Sequence, residues 1–461
     1  MDHKAGVDTR LVTQLYARER ERFETTHPRS RALFARGKET YLYGAPLHWM
    51  RRWAGGFPIY VQVAKGSCLT DVDGHEYVDF CLGDTGAMAG HGDPRIADAV
   101  HCQMLAGATM MLPTADALWL GDELKRRFGL PYWNLATSAS DANRFCIRLS
   151  RMATGREKVL VFSGCYHGSV EEAHVELRDG RVALRNNIHA NAFDHARLSK
   201  VIEFNDPEAL ARALADGDVA CVLAEPVMTN CGMVPPAAGY LDTLRRLTRE
   251  TGTVLIIDET HTISSGPGGY ARIHGIEPDM FVLGKAIAGG IPAAVYGLAK
   301  PIAERVWQAL PPVDPAVKQS ANAGFGGTLA GNAVTVAALR ATLEHVLTED
   351  AYERMIPLAG RLAASARRLI DAAGLPWHVT QIGARIEQMF SPTVPRNGSE
   401  ARDARDGALE GLLHLYFMNR GVLITPFHTM LLLCPASLPE DIARHEEVFS
   451  TFLAELRGGA E

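Results

Sequence analysis

Residues 254–290 read VLIIDETHTISSGPGGYARIHGIEPDMFVLGKAIAGG, and this stretch decides the fold. Its first four residues, VLII, are an unbroken aliphatic run, the pattern of a strand buried on both faces. The run ends in two carboxylates, Asp258 and Glu259. A second apolar run, MFVL, stops at Gly284-Lys285, and a glycine pair, Gly289-Gly290, follows. In open α/β sheets ligands sit outside the carboxyl ends of the strands, so an acid and a lysine at two such ends face one crevice.

A lysine hemmed by glycines after a buried strand is a candidate for a desolvated amine, nucleophilic towards carbonyls. An acid nearby suits the ring nitrogen of a pyridine. Together they are the pair that pyridoxal phosphate chemistry requires. Taken alone, the pair reads more readily as a surface lysine and an acidic strand end. The rest of the chain has to decide.

At 461 residues the chain exceeds one hydrophobic core, so two or more lobes are expected. Hydrophobic residues make up 47% and charged residues 22%, an ordinary globular balance. The formal charge of −6, without a basic block, argues against nucleic acid as a partner. The apolar runs are too short to span a bilayer, and MDHKAGVDTR lacks a signal-peptide core, so no membrane role and a cytoplasmic location are expected. Eight cysteines without a C-x-x-C pair fit reduced thiols. Seventeen histidines without H-E-x-x-H or comparable spacing predict no metal.

In chain order, residues 9–24 form an amphipathic helix that His27-Pro28 ends. Residues 59–80 read as a meander with a hairpin turn at Asp73-Gly74. The glycine-dense loop 83–94 leads to a helix near Pro94, and its spacing does not give a dinucleotide fingerprint. Ser138 is an N-cap with Asp141 three residues on, and the helix continues to about Met152. Such a start is either a plain cap or a cradle for phosphate. Buried strands at 159–162 and 219–224 end in Tyr166-His167-Gly168 and in Glu225. Strand–helix–strand spacing implies a parallel, doubly wound sheet. GFGGTLAGN at 324–332 starts a helix capped by Thr328 or Asn332, followed by helices at 333–347 and 352–373. A lobe from Thr348 onward alternates strand and helix, with a helix at 402–420 and a last helix capped by Ser437 and Glu440.

From about Gly44 to the end, these motifs stand in the order of the class III (subgroup II) aminotransferases, and the chain resembles that family. It includes glutamate-1-semialdehyde aminomutase and many ω-transaminases. The resemblance implies a fold-type I α/β enzyme using pyridoxal 5′-phosphate. It implies a mostly parallel large domain at 96–347 and a smaller α/β domain built from both chain ends, 1–95 and 348–461. Lys285 corresponds to the Schiff-base lysine and Asp258 to the partner of the ring nitrogen. Ser138, Ala139 and Ser140 correspond to the phosphate-gripping S-G-T of the family, with alanine and serine in place of glycine and threonine. Tyr166 and His167 correspond to the Y-H-G motif whose tyrosine stacks on the ring, and Glu225 to the glutamate near its hydroxyl. Thr260 stands where the family often has valine under the ring, and His261 beside it is a further departure. Thr328 corresponds to the threonine that reaches the cofactor phosphate of the other subunit, which implies a homodimer with shared sites. Aminotransferases often bind a substrate carboxylate with an arginine, and Arg52 and Arg385 are the candidates. A surface salt bridge is the commoner reading of each.

The expected activity is a ping-pong transamination from an amine or amino-acid donor to a keto acid or aldehyde acceptor. Two alternatives stand beside it: an intramolecular aminomutase using the same residues, and a cofactor-binding protein without catalysis.

Overall fold

The computed structural model describes residues 4–185, 188, 194–310 and 324–458. Two compact units emerge: Met1–Asp93, Asp350–Val394 and Asp403–Glu461 form one, Pro94–Glu349 and Pro395–Arg402 the other.

The first unit opens with the helices Thr9–Thr26 and Pro28–Gly37. It continues with strands β1 (Val61–Lys65), β2 (Cys68–Asp71) and β3 (Glu76–Asp79). The second unit holds β4 (Tyr132–Ala136), β5 (Lys158–Phe162), β6 (Val175–Arg178), β7 (Arg181–Leu184), β8 (Ser199–Ile202), β9 (Val219–Ala224), β10 (Val254–Asp258), β11 (Met280–Leu283) and β12 (Ala294–Leu298). The chain returns to the first unit for β13 (His378–Ile382), β14 (Arg385–Met389), β15 (Val422–Leu423) and β16 (Met430–Leu432).

In the second unit seven strands lie in the order β4-β12-β11-β10-β9-β5-β8. The pairs from β11 through β8 are parallel, while β12 runs antiparallel to both β11 and β4. Every residue of β9, β10, β11 and β12 is buried. Helices on both faces require this, which is why these strands read as continuous apolar runs without alternation. The helices Ala139–Thr154, Pro207–Ala215 and Tyr240–Thr251 are the crossovers. The fold is the mixed α/β, mostly parallel fold-type I architecture.

The first unit carries a four-stranded sheet, β1-β2-β3-β15, and a three-stranded antiparallel sheet, β13-β14-β16. β15 pairs parallel with β3, so the two chain ends share one sheet. Its core gathers Phe80, Leu362, Leu412, Phe417, Phe449 and Phe452. Some helix boundaries differ from those expected. The stretch expected as a single helix at 402–420 is two helices, Gly398–Asp403 and Gly407–Met418. The last helix, Pro439–Leu456, is not capped by Ser437 and Glu440. Asp441 Oδ2 accepts the N–H of Leu438 at 2.9 Å, and the Ser437 hydroxyl accepts the Cys434 N–H at 3.0 Å. Pro439 at the first helical position displaces the cap to Leu438.

Candidate active site

Asp258 is the last residue of β10 and stands opposite Val282 of β11, three residues before Lys285. Its Oδ2 accepts from Asn143 Nδ2 at 2.8 Å and lies 2.9 Å from His167 Nδ1. Its Oδ1 accepts the backbone N–H of Thr260 at 3.1 Å and the Thr260 hydroxyl at 2.6 Å. Burial alone would raise this carboxyl. The hydrogen bond and charge of His167, with Thr260 and Asn143, outweigh burial and hold it at about 2. Burial opposes the charge on His167 as well, and the bond to Asp258 raises that imidazole to about 10. The hydrogen bond couples the two into one buried pair, lowering the carboxyl and raising the imidazole.

Strand alternation sends the neighbouring carboxylate elsewhere. Glu259 accepts from the Thr262 hydroxyl at 2.6 Å and from the backbone N–H groups of Tyr270 and Ala271 at 2.9 and 2.5 Å. It pins the start of the Gly269–Ile273 helix. Burial pushes its carboxyl up to about 7. Of the two acids that end β10, one serves the site and one the scaffold.

Lys285 follows β11 with a left-handed backbone, φ 50°. A non-glycine residue there carries strain of about 1–3 kcal/mol, a cost typical of functional positions. Its Nζ lies 2.9 Å from His261 Nε2. Gly284 lets this turn press on the start of the Ala139–Thr154 helix, because a Cβ there would come within 3.0 Å of the Ala139 methyl. The alanine at position 139 is thus accommodated by the missing side chain at position 284.

Ser138 caps that helix, its hydroxyl accepting the Asp141 N–H at 3.2 Å. The hydroxyls of Thr137 and Ser138 both donate to Asp141 Oδ2. What remains for an anion is the set of first-turn N–H groups, which have no partner within a helix. Ser140 Oγ accepts the Ser169 N–H at 3.0 Å. A Cβ on Gly168 would collide with that hydroxyl at 2.0 Å, so the Tyr166-His167-Gly168 turn needs its glycine to seat on the helix start. Tyr166 is half-buried, with the Arg185 guanidinium 5.9 Å from its ring centre.

Glu225 follows β9, and its carboxylate accepts the Thr229 N–H at 3.1 Å and the Asn230 amide at 3.1 Å. Burial raises its carboxyl, with the His167 charge acting against it.

Lys285, Asp258, Thr260, His167, Tyr166, Glu225 and the Ser138–Ala139–Ser140 start therefore gather on adjoining strand ends and turns of one unit. Thr328 is exposed on the turn before the Ala333–Ala341 helix, whose cap is Asn332 rather than Thr328. Arg52 and Arg385 belong to the other unit. Arg52 is at the surface, stacked 5.0 Å from the Trp49 ring centre and 5.1 Å from that of Phe427. Arg385 departs from the surface salt bridge expected of it: it is 0% exposed and bonds Thr85 Oγ1 at 2.5 Å. One participant was not singled out in the sequence. Asn143 lies five residues into the capped helix, where only the fold shows that it reaches Asp258. His261 stood out as a departure, but its contact with Lys285 depends on the turn geometry.

A lysine amine, an ionised acid at an adjoining strand end and a capped helix start define a fold-type I pyridoxal phosphate enzyme. The aminotransferase class-III family model matches residues 49–446, and the chain belongs to that family. A crystal structure of a glutamate-1-semialdehyde aminomutase from Pseudomonas aeruginosa PAO1 is 55% identical, with a TM-score of 0.96 over 98% of this chain and 100% of the other. A β-phenylalanine aminotransferase from Variovorax paradoxus is 26% identical, with a TM-score of 0.84 over 96% and 97%. Among curated relatives, the glutamate-1-semialdehyde 2,1-aminomutase of Neisseria meningitidis serogroup C is 30% identical over 87% of this chain and 93% of its own.

The residues present fit the family's cofactor. Asp258 stays ionised, as a pyridinium partner must, and the helix start offers first-turn N–H groups to a phosphate. Of the four donors on Asp258, the Thr260 hydroxyl is one that a side-chain rotation would remove, opening a position for a ring N–H.

Proposed function

We propose that this enzyme is an intramolecular aminomutase of the glutamate-1-semialdehyde type, moving an amino group between neighbouring carbons of one amino aldehyde. The observation that carries the reading is the 55% identity to such an enzyme across nearly the whole chain, against 26% to the β-phenylalanine aminotransferase. This favours the aminomutase over the transamination between separate donor and acceptor that the motifs alone suggest.

Pyridoxal phosphate, when bound, supplies an electron sink for the charge that develops at the substrate carbon. The protein's own groups do the rest. Lys285 would hold the cofactor through its Nζ, and the same amine, with His261 Nε2 at 2.9 Å as its hydrogen-bond partner, is the group placed to take and return a proton at the substrate carbon. Asp258, fixed by Asn143 and His167, is the carboxylate that would pair with the ring nitrogen and keep it protonated. The N–H groups at Ala139 and Ser140 take the phosphate. Tyr166 would offer an aromatic face to the ring, and Glu225 a carboxylate near it. Of the two arginines expected to bind a substrate carboxylate, Arg385 is fully buried and bonded to Thr85, which leaves Arg52, exposed at the surface, as the candidate. The enzyme works as a homodimer with Thr328 completing the partner's phosphate site, on small molecules alone, without nucleic acid or membrane. Eight free cysteines support a cytoplasmic setting. No helix among the described residues is long and apolar enough to cross a membrane.

The test supplies glutamate-1-semialdehyde as sole substrate, without any keto acid, and follows the product by NMR. Many turnovers to the isomer aminated at carbon 1, lost in Lys285→Ala, are expected. Turnover that stops after one equivalent and resumes only with added keto acid would make the enzyme a transaminase.

A further inference from the structure

Three side chains with no sequence spacing in common meet in the unit built from both chain ends. His27 stands at the junction of the Thr9–Thr26 and Pro28–Gly37 helices, Asp71 ends β2, and His75 lies across the hairpin turn from it. One ligand atom from each lies within 4.8 Å of the others. Asp71 Oδ2 is 3.5 Å from His27 Nε2 and 3.1 Å from His75 Nδ1. Ligands at zinc's usual bond length of about 2.0–2.1 Å on a tetrahedron stand about 3.3 Å apart.

The outer partners are those of a metal site. His27 Nδ1 lies 2.9 Å from the Phe23 carbonyl, which places the ring proton there and leaves Nε2 as the lone pair facing Asp71. Asp71 Oδ1 accepts the N–H groups of Asp73 and His75, both at 2.9 Å, which aims Oδ2 at the two imidazoles. The Tyr77 hydroxyl lies 2.9 Å from His27 Nε2 and 2.8 Å from Asp71 Oδ2. It has one proton for two acceptors, so it donates to one of them at a time. His27 and Asp71 are buried, while the His75 side chain is 39% exposed and gives the entry path.

We propose that His27, Asp71 and His75 bind a divalent transition-metal ion of zinc's softness, which clips the helix junction to the β2–β3 hairpin. Two imidazoles and a carboxylate suit such an ion better than magnesium or calcium, which prefer all-oxygen shells. Water or the Tyr77 oxygen completes the shell. The ion's role is structural, and the site shares no residue with the Lys285 site.

The test uses full-length, cofactor-loaded protein stripped with chelator, in a Cys68→Ser, Cys102→Ser background that removes the two exposed thiols. It is titrated with Zn²⁺ calorimetrically and with Co²⁺ by visible absorption. One ion per chain is expected, with intense tetrahedral Co²⁺ bands and a melting temperature that rises with zinc. Binding should be at least about tenfold weaker in His75→Ala and in Asp71→Asn. Should His75→Ala fail to fold, His75→Gln keeps the side-chain volume and is expected to lose the bands equally. Zinc affinity and Co²⁺ spectra unchanged in both His75 variants, or no binding by the parent protein, would overturn the proposal.

Discussion

Thr260 spends its hydroxyl on the Asp258 carboxylate at 2.6 Å, where the related family pattern often has valine. Cofactor binding must exchange that bond for one to the ring nitrogen. Thr260→Val keeps the β-branched shape and frees the acceptor, so pyridoxal phosphate should bind about three- to tenfold tighter, the worth of one hydrogen bond. Equilibrium titration of the apo-enzyme measures this, and weaker binding by the variant would sink the idea. The gain should hold from about pH 5 to about pH 8. Asp258 is held at about 2, so its ionised form is in place above the ordinary carboxylate range and is lost only as pH falls through that lowered value.

At the scale of elements, the Asp116–Phe128 helix is tied to the π-turn Thr342–Val346 through one buried guanidinium. Arg127 donates to the carbonyls of Leu343 at 2.6 Å and Leu347 at 2.8 Å, and to Glu123 at 2.6 Å. A π-turn leaves carbonyls that its own backbone cannot pair, and Arg127 supplies the missing donors. Arg127→Met fills the space but leaves those carbonyls buried and unpaired, at about 2–3 kcal/mol. A fall of about 5 °C in melting temperature should register it by calorimetry. A shift below about 1 °C would mean that water or Arg126 replaces the donor.

For the molecule as a whole, the proposed dimer places Lys285 and Thr328 of one site on different chains. Complementation follows. Lys285→Ala and Thr328→Ala proteins are each expected to be impaired alone, the first inactive and the second about tenfold weaker for cofactor by loss of a phosphate contact. Refolded together, they should regain activity, because one site in the mixed dimer combines an intact Lys285 with an intact Thr328. No recovery, with mixed dimers present by mass spectrometry, would place Thr328 outside the partner's site.

The parallel sheet was legible because strands covered on both faces must be continuously apolar, as VLII, MFVL and VACVLA are. The placement of Asp258 and Lys285 at adjoining strand ends was legible because each follows an apolar run, and the Ser138 cap because capping is local chemistry. Local sequence could not separate the work of Asp258 from that of Glu259, since both are acids at one strand end. Packing turned one to His167 and the other to a helix start. Nor could it assign Asn143, Arg385 or the His27–Asp71–His75 cluster. Each depends on contacts between segments far apart in the chain, set by the tertiary fold rather than by spacing. The absence of a local metal motif could not speak for ligands brought together from a helix junction and a hairpin.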